Sequence, residues 1–299
     1  MMPQPAKFRT GYVAIVGRPN VGKSTLLNRL VGQKVSITSR KPQTTRQRVG
    51  GILTLDDAQL VFVDTPGFQT RYGSALNRGM NRVVTQSLAA ADVVLLVIEA
   101  LRFGPEDRAL LQLLPAARPV LLVINKTDTL ADRRLLLPFI KQVAEQHAFA
   151  EIVPVAATKG HSIAALARTI SGYLPERPAL FGADEITESS ERFLAAELIR
   201  EKLFRALGEE LPYVTAVLID RFVMNGALRR IQASIIVDKE SQKGIVVGTR
   251  GGQLKAIASK ARIDMEKLFG GKVHLEVWVK VKSGWTENPR LLERLGYGK

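Results

Sequence analysis

Four short stretches hold residue types suited to phosphate and base chemistry. "GRPNVGKST", Gly17 to Thr25, fits the pattern GxxxxGK[ST]. In such a loop the backbone runs through Gly17, Arg18, Pro19, Asn20, Val21 and Gly22 around the phosphates, and its N–H groups, which Pro19 alone lacks, surround phosphate oxygens. Lys23 reaches the outer phosphates, the Ser24 hydroxyl ligates Mg²⁺, and Thr25 lies in the first turn of the following helix. "DTPG" supplies Asp64, a carboxylate that can hold the magnesium through water, and Gly67, whose amide can sense a terminal phosphate. "NKTD" ends in Asp128, an acceptor for the guanine N1–H and exocyclic amine together. Adenine lacks that pair of donors, and an unpaired acceptor costs about 1–3 kcal/mol, so Asp128 argues for GTP over ATP. Asn125 and Lys126 brace the loops and cover the base. In "AATKG", Ala156, Ala157 and Thr158 follow a strand, with the Ala157 amide expected to meet the guanine carbonyl oxygen.

These motifs need a frame that brings strand ends together. From Gly11 to Tyr173, apolar runs such as "YVAIVG", "LVFVDT", "DVVLLVIEA", "PVLLVIN" and "AEIVPVAA" alternate with amphipathic stretches. That rhythm predicts a mainly parallel sheet with helices on both faces, and ligands then collect at the carboxyl ends of the strands. Residues 36–51 are polar, basic and aperiodic and are expected to form a loop ordered by the γ-phosphate and Mg²⁺. Within it Thr45 is the expected magnesium ligand, with Thr44 the near alternative. The residue after DTPG is Phe68, which can neither orient water nor stabilise charge, so intrinsic hydrolysis is expected to be slow.

The carboxyl-terminal part has a different grammar. A helical pattern from Thr187 carries apolar residues at 193, 194, 198, 199, 203 and 207 and reads as amphipathic. Two strand-like segments, a short helical piece, the loop Gly248-Thr249-Arg250-Gly251, a longer helix and the strand "KVHLEVWVKV" follow. The expected organisation is a nucleotide-binding domain over 1–175, a proline-containing linker over 176–186 and a second domain over 187–299. Net charge is +15 and is patterned: residues 1–180 carry +11, 181–220 carry −5 and 221–299 carry +9. Two basic regions suggest a polyanionic partner. Cysteine is absent, which excludes disulfides and thiolate chemistry. The sequence shows no run long and apolar enough for a membrane span, and a cytoplasmic location is expected.

The four amino-terminal motifs, in this order and each at a strand end, resemble those of the translation-factor-like GTPases. Ala156 departs from the usual serine, which removes a bracing hydroxyl. The GxxG loop between two helices beside a small sheet resembles a KH domain of the bacterial, type II kind, α+β in build. That resemblance implies that Gly248, Thr249, Arg250 and Gly251, with Lys255 on the next helix, contact single-stranded RNA. Ile245, Val246, Leu254 and Ile257 are either groove lining or core. Together the modules, with "VHLEVWVKVKSGWTENPRLLERLGY" at 273–297, resemble the Era family of bacterial GTPases. The family implies GTP and GDP as ligands, Mg²⁺ as cofactor, and maturation of the small ribosomal subunit through the 3′ end of its 16S ribosomal RNA. A monomer with peripheral inner-membrane association is also expected. The subset of GTPases with "PNVGKS" and "TTR" implies that Asn20 holds K⁺ against the phosphates. Catalysis would then rest on Asn20, Lys23, Thr45 and Gly67. Two other readings use the same residues: a membrane-surface GTPase, and a constitutive RNA-binding protein with a structural GTPase domain.

Overall fold

A computed structural model describes residues 8–39, 41, 43–69, 75–208 and 211–297. They cluster into two units. The first holds residues 8–36, 45–69 and 80–188, and the second holds 37–44, 75–79 and 189–297.

The first unit runs β1 (Arg9–Val16), α1 (Lys23–Val31), β2 (Val49–Thr54), β3 (Ala58–Asp64), α2 (Ala75–Ala90) from Met80 onward, β4 (Val93–Glu99), α3 (Pro105–Leu111), β5 (Val120–Asn125), α4 (Leu136–Ala144), β6 (Glu151–Pro154) and α5 (Ile163–Tyr173). Its six-stranded sheet has the order β2-β3-β1-β4-β5-β6. All neighbours pair in parallel except β2 with β3. The long apolar runs become the buried central strands because both faces are covered. On one face Val84 and Leu88 of α2, Leu110 of α3, and Phe139 and Val143 of α4 pack on alternate residues of β1, β4 and β5. α1 and α5 pack together against β1 and β3.

β2 corrects one expectation. Residues 49–51 belong to a strand, so the loop after α1 ends at Arg48. Two glycines hide the strand from propensity, yet Gly51 has a packing reason. A Cβ there would lie 2.7 Å from Leu27 Cδ1 and 2.8 Å from Val31 Cγ2, both on α1. The side chains of α1 rest directly on the bare backbone and would have to shift to admit a Cβ. Residues 180 and 181 lie with the first unit: Gln59 Oε1 accepts both of their N–H groups at 2.8 and 2.9 Å.

The second unit runs α6 (Glu191–Ala206), β7 (Ala216–Asn225), β8 (Leu228–Val237), α7 (Glu240–Val247), α8 (Gly252–Phe269), β9 (Val273–Val281) and α9 (Pro289–Arg294). β8 pairs antiparallel with β7 and parallel with β9. Alternate residues of the sheet, from Val217 to Val281, meet apolar residues of α6, α7 and α8 in one core. α6 starts at Glu191, four residues later than the pattern suggests, because Ser190 caps it by accepting the Phe193 N–H at 3.2 Å. It also departs from simple amphipathicity, since Glu197, Arg200, Glu201 and Lys202 are buried with the apolar side. These polar groups are paired: Arg200 with Glu197, Lys202 with Glu201 and Asp264, and Arg205 with Glu201. In the same unit the Thr38 N–H donates to Glu201 Oε1 at 3.1 Å and Arg200 donates to the Thr44 carbonyl. The far side of the helix is therefore covered as well. Trp285 is fully buried and donates its indole N–H to the Val214 carbonyl at 2.9 Å.

Candidate functional site

The ends of β1, β3, β5 and β6 gather the four motifs. After β1 the chain turns through Gly17 to Gly22 into α1, with exposed Asn20 in the left-handed region at φ 66°. Lys23 is buried, and its Nζ donates to the Gly17 and Arg18 carbonyls at 3.0 and 3.1 Å. Burial pulls its pKa from 10.5 down to about 8, with the charge of Asp64 opposing and that of Arg18 adding to the fall. The loop thus holds a strained, desolvated cation where an anion would relieve it.

Asp64, at the end of β3, is the other pole. Its Oδ2 accepts from the hydroxyls of Ser24 at 2.6 Å, Ser36 at 2.9 Å and Thr45 at 3.2 Å, and the Ser24 and Thr45 hydroxyls are 2.9 Å apart. Its Oδ1 is buried without a hydrogen-bond partner. Burial pushes the carboxyl up, against Lys23 and the three hydroxyls. Three hydroxyls around a carboxylate with a bare oxygen form an all-oxygen donor set of the kind that Mg²⁺ prefers, so the residues fit the ion. Thr45 joins this cluster, whereas the Thr44 hydroxyl donates to the Lys41 carbonyl at 2.7 Å. Ser36 escaped the sequence reading because nothing separates it from the other hydroxyls of its loop. It is placed by Asn28, whose Oδ1 accepts the Val35 and Ser36 N–H groups at 2.9 Å each.

Gly67 lies against the phosphate loop, where a Cβ would come within 2.7 Å of Pro19 Cα. The Phe68 N–H donates to the Gly17 carbonyl at 3.2 Å, and its ring rests on the apolar core. On the base side, Asn125 does the bracing: its Nδ2 donates to the Val21 carbonyl at 2.9 Å and its Oδ1 accepts the Ala157 N–H at 3.1 Å. The Ala157 amide, expected to meet the guanine carbonyl oxygen, thus lies buried beside Asn125 at the end of β5. Lys126 has φ 63° and donates to Glu99 Oε2 at 2.8 Å. Asp128 sits half-buried in a single 3-10 turn, Thr127–Thr129. The Ala156 side chain is buried, and the Thr158 carbonyl accepts from Arg29 at 2.7 Å.

In the second unit the GxxG loop joins α7 to α8. Gly248 has φ 71° and ψ 178°, Arg250 has φ 50° and Gly251 has φ 77°. Thr249, Arg250 and Lys255 are exposed. Of the four apolar candidates, Val246 and Ile257 are core, Leu254 packs partly on it, and Ile245 is 54% exposed.

Such a phosphate loop facing a magnesium-type cluster, in a chain that also carries a strained GxxG turn between helices, defines a P-loop GTPase with a KH domain. The family model described as a 50S ribosome-binding GTPase matches residues 12–126, and that of the KH domain matches residues 210–286. GTPase Era of Nitrosomonas eutropha is 57% identical over 290 residues, 97% of this chain and 98% of that protein. GTPase Era of Chromobacterium violaceum is 55% identical over 289 residues, again 97% and 98% of the two chains. This chain belongs to the Era GTPase family. Two solved structures agree with it at TM-score 0.94 and 42% identity over 98% of this chain and all of theirs: an Era in complex with MgGDPNP and nucleotides 1506–1542 of 16S ribosomal RNA, and an Aquifex aeolicus Era variant bound to GDP·AlF4⁻.

Proposed function

We propose that this GTPase is a GTP-switched RNA-binding protein that acts in maturation of the small ribosomal subunit by holding the 3′ end of 16S ribosomal RNA. The observation that carries the reading is the pairing, in one chain, of the Ser24–Ser36–Thr45–Asp64 cluster with the GxxG loop. The 16S fragment and MgGDPNP in the solved relative support it.

GTP and GDP bind through the Gly17–Thr25 loop, Asp128 and the loops that Asn125 braces. Mg²⁺ is held by Ser24 and Thr45 and, through water, by Asp64. When bound, the ion would neutralise phosphate charge. Lys23 exchanges two neutral carbonyl partners for phosphate oxygens, which strengthens its interactions as the nucleotide enters. Phe68 leaves hydrolysis without a side chain to orient water, and Asn20 would hold K⁺, whose charge would substitute electrostatically. Equal rates in K⁺ and Na⁺ buffers, or full activity in Asn20→Ala, would refute the potassium assignment.

Switching follows from the segment before Thr45. Residues 37–44 belong to the second unit by their contacts, while Thr45 itself joins the nucleotide cluster. Ordering Thr45 on a triphosphate therefore acts on chain that the RNA-binding unit holds. The decisive experiment measures affinity for a short oligonucleotide from the 3′ end of 16S ribosomal RNA in the GTP-analogue and GDP states, beside a Thr249→Asp/Arg250→Asp variant. Tighter binding in the triphosphate state, lost in the variant, is the expected result. Equal affinity in both states would instead favour a constitutive RNA-binding role.

A further inference from the structure

Two carboxylates outside the nucleotide motifs hold the motifs' own side chains. Glu99 closes β4 and stands in register with Asn125, the last residue of β5. The Ala100 N–H donates to the Asn125 carbonyl at 2.9 Å, so the backbone after Glu99 is tied to the start of the base-binding loop. Glu99 Oε2 accepts from Lys126 Nζ at 2.8 Å and lies 3.7 Å from Arg18 Nη2, while Oε1 lies 3.2 Å from Arg102. The chain then turns through Leu101 at φ 60° into α3. This brings Asp107 back beneath the phosphate loop. Its Oδ2 accepts the Gly104 N–H at 2.9 Å and lies 3.3 Å from Arg18 Nε.

We propose that Glu99 and Asp107 are positioning residues for the nucleotide site: one acidic brace behind β4 that fastens Lys126, which covers the base, and Arg18, the second residue of the phosphate loop. Capping alone does not explain Asp107. A cap works as well at the surface, yet this side chain is fully buried and its Oδ1 has no hydrogen-bond partner. Burying a carboxylate is costly unless a counter-charge is held against it, and Arg18 is that counter-charge.

Lys126 needs an anchor for a different reason. Its backbone sits in the left-handed region, which is strained for a residue with a side chain. A four-carbon stem launched from there lies along a base only if its tip is fixed. Glu99 fixes it. Burial raises the Glu99 carboxyl, but the Lys126 hydrogen bond and the charges of Lys126, Arg102 and Arg18 outweigh that and hold it below its ordinary value. The carboxylate is thus ionised and shared by the loops that grip the two ends of one ligand.

The test is a double-mutant cycle read by nucleotide dissociation. Glu99→Gln keeps the shape and an acceptor for Lys126 but removes the charge. GTP and GDP should both dissociate roughly 10-fold faster, KM for GTP should rise by the same factor, and kcat should stay within about twofold. Combined with Lys126→Met, the substitution should add little to the single change, and Asp107→Asn should likewise add little to Arg18→Gln. RNA affinity at saturating nucleotide should not move, so the outcome is independent of the RNA-binding reading. A dissociation rate unchanged in Glu99→Gln, with only the melting temperature of the nucleotide-free protein lowered, would overturn the proposal in favour of a scaffold role. Simple additivity with Lys126→Met would overturn it too. Should Glu99→Gln fail to fold, Glu99→Asp, which keeps the charge one methylene short, gives the same readouts.

Discussion

At the scale of single residues, the nucleotide site stores unfavourable electrostatics that its ligand discharges. Lys23 shows the sign. Its folded pKa of about 8 lies below the unfolded 10.5, so below pH 8 the buried ammonium is a full cost to the nucleotide-free protein. Between pH 8 and 10.5 the unfolded chain keeps a proton that the folded chain has released, and the cost fades as pH rises. Lys23→Met should therefore stabilise the nucleotide-free protein at pH 7 by about 1–3 kcal/mol while abolishing GTP binding. Denaturant titrations at pH 7 and pH 10 check it, since the gain should shrink at the higher pH. Ser36→Ala removes one of three hydroxyl donors from Asp64 and should raise the Mg²⁺ concentration needed for half-maximal hydrolysis several-fold, read in a magnesium titration. Lys23, Asp64 and Asp128 were legible because each sits inside a contiguous motif. Ser36, Glu99 and Asp107 were not, because their partners lie 28, 27 and 89 residues away in Asp64, Lys126 and Arg18.

Elements were legible where one face is apolar or both are. The central strands declared themselves through continuous Val, Ile and Leu runs, whereas β2 did not, since the second and third residues of "VGGILT" are glycines. Gly51→Ala should lower the melting temperature of the GTPase unit, with a loss of about 1–3 kcal/mol, because Leu27 and Val31 of α1 must give way to the new Cβ. α6 misled in the opposite direction, its buried Glu197, Arg200, Glu201 and Lys202 having the composition of a solvated face. Only tertiary pairing reveals such a helix. The GxxG loop gives a graded test of local geometry. Gly248 occupies a region open essentially to glycine alone, and a Cβ on it would lie 2.6 Å from Gln253 Cβ. Gly251 faces open space and carries only left-handed strain. Gly248→Ala should thus weaken binding of the 16S oligonucleotide by roughly 10-fold or more and Gly251→Ala by roughly twofold to fivefold, measured by fluorescence anisotropy.

For the whole molecule, the arrangement of charge and the two-unit build were readable from the chain, but the membership of residues 37–44 was not. Their sequence is an ordinary polar loop, and only the contacts of Thr38, Lys41 and Thr44 with α6 and the residues just after it put them in the second unit. That division makes a thermodynamic demand. If the GTP analogue tightens RNA binding by some factor, RNA must tighten binding of the analogue by the same factor, since both describe one cycle of states. Competing explanations do not share this symmetry. General attraction between RNA and a chain of charge +15 would be screened by salt and would not distinguish GTP from GDP. The expected result is that 16S oligonucleotide slows release of a GTP analogue but not of GDP. Lys255→Ala should lower RNA affinity in both nucleotide states and reduce the salt slope by about 0.7, the value of one single-strand phosphate contact, while leaving the ratio between the states unchanged. Nucleotide release followed by stopped flow, with and without RNA, measures one side of the cycle, and RNA affinity in each nucleotide state at two salt concentrations measures the other. Unequal factors on its two sides would mean that RNA binding and nucleotide state are not linked through a single equilibrium.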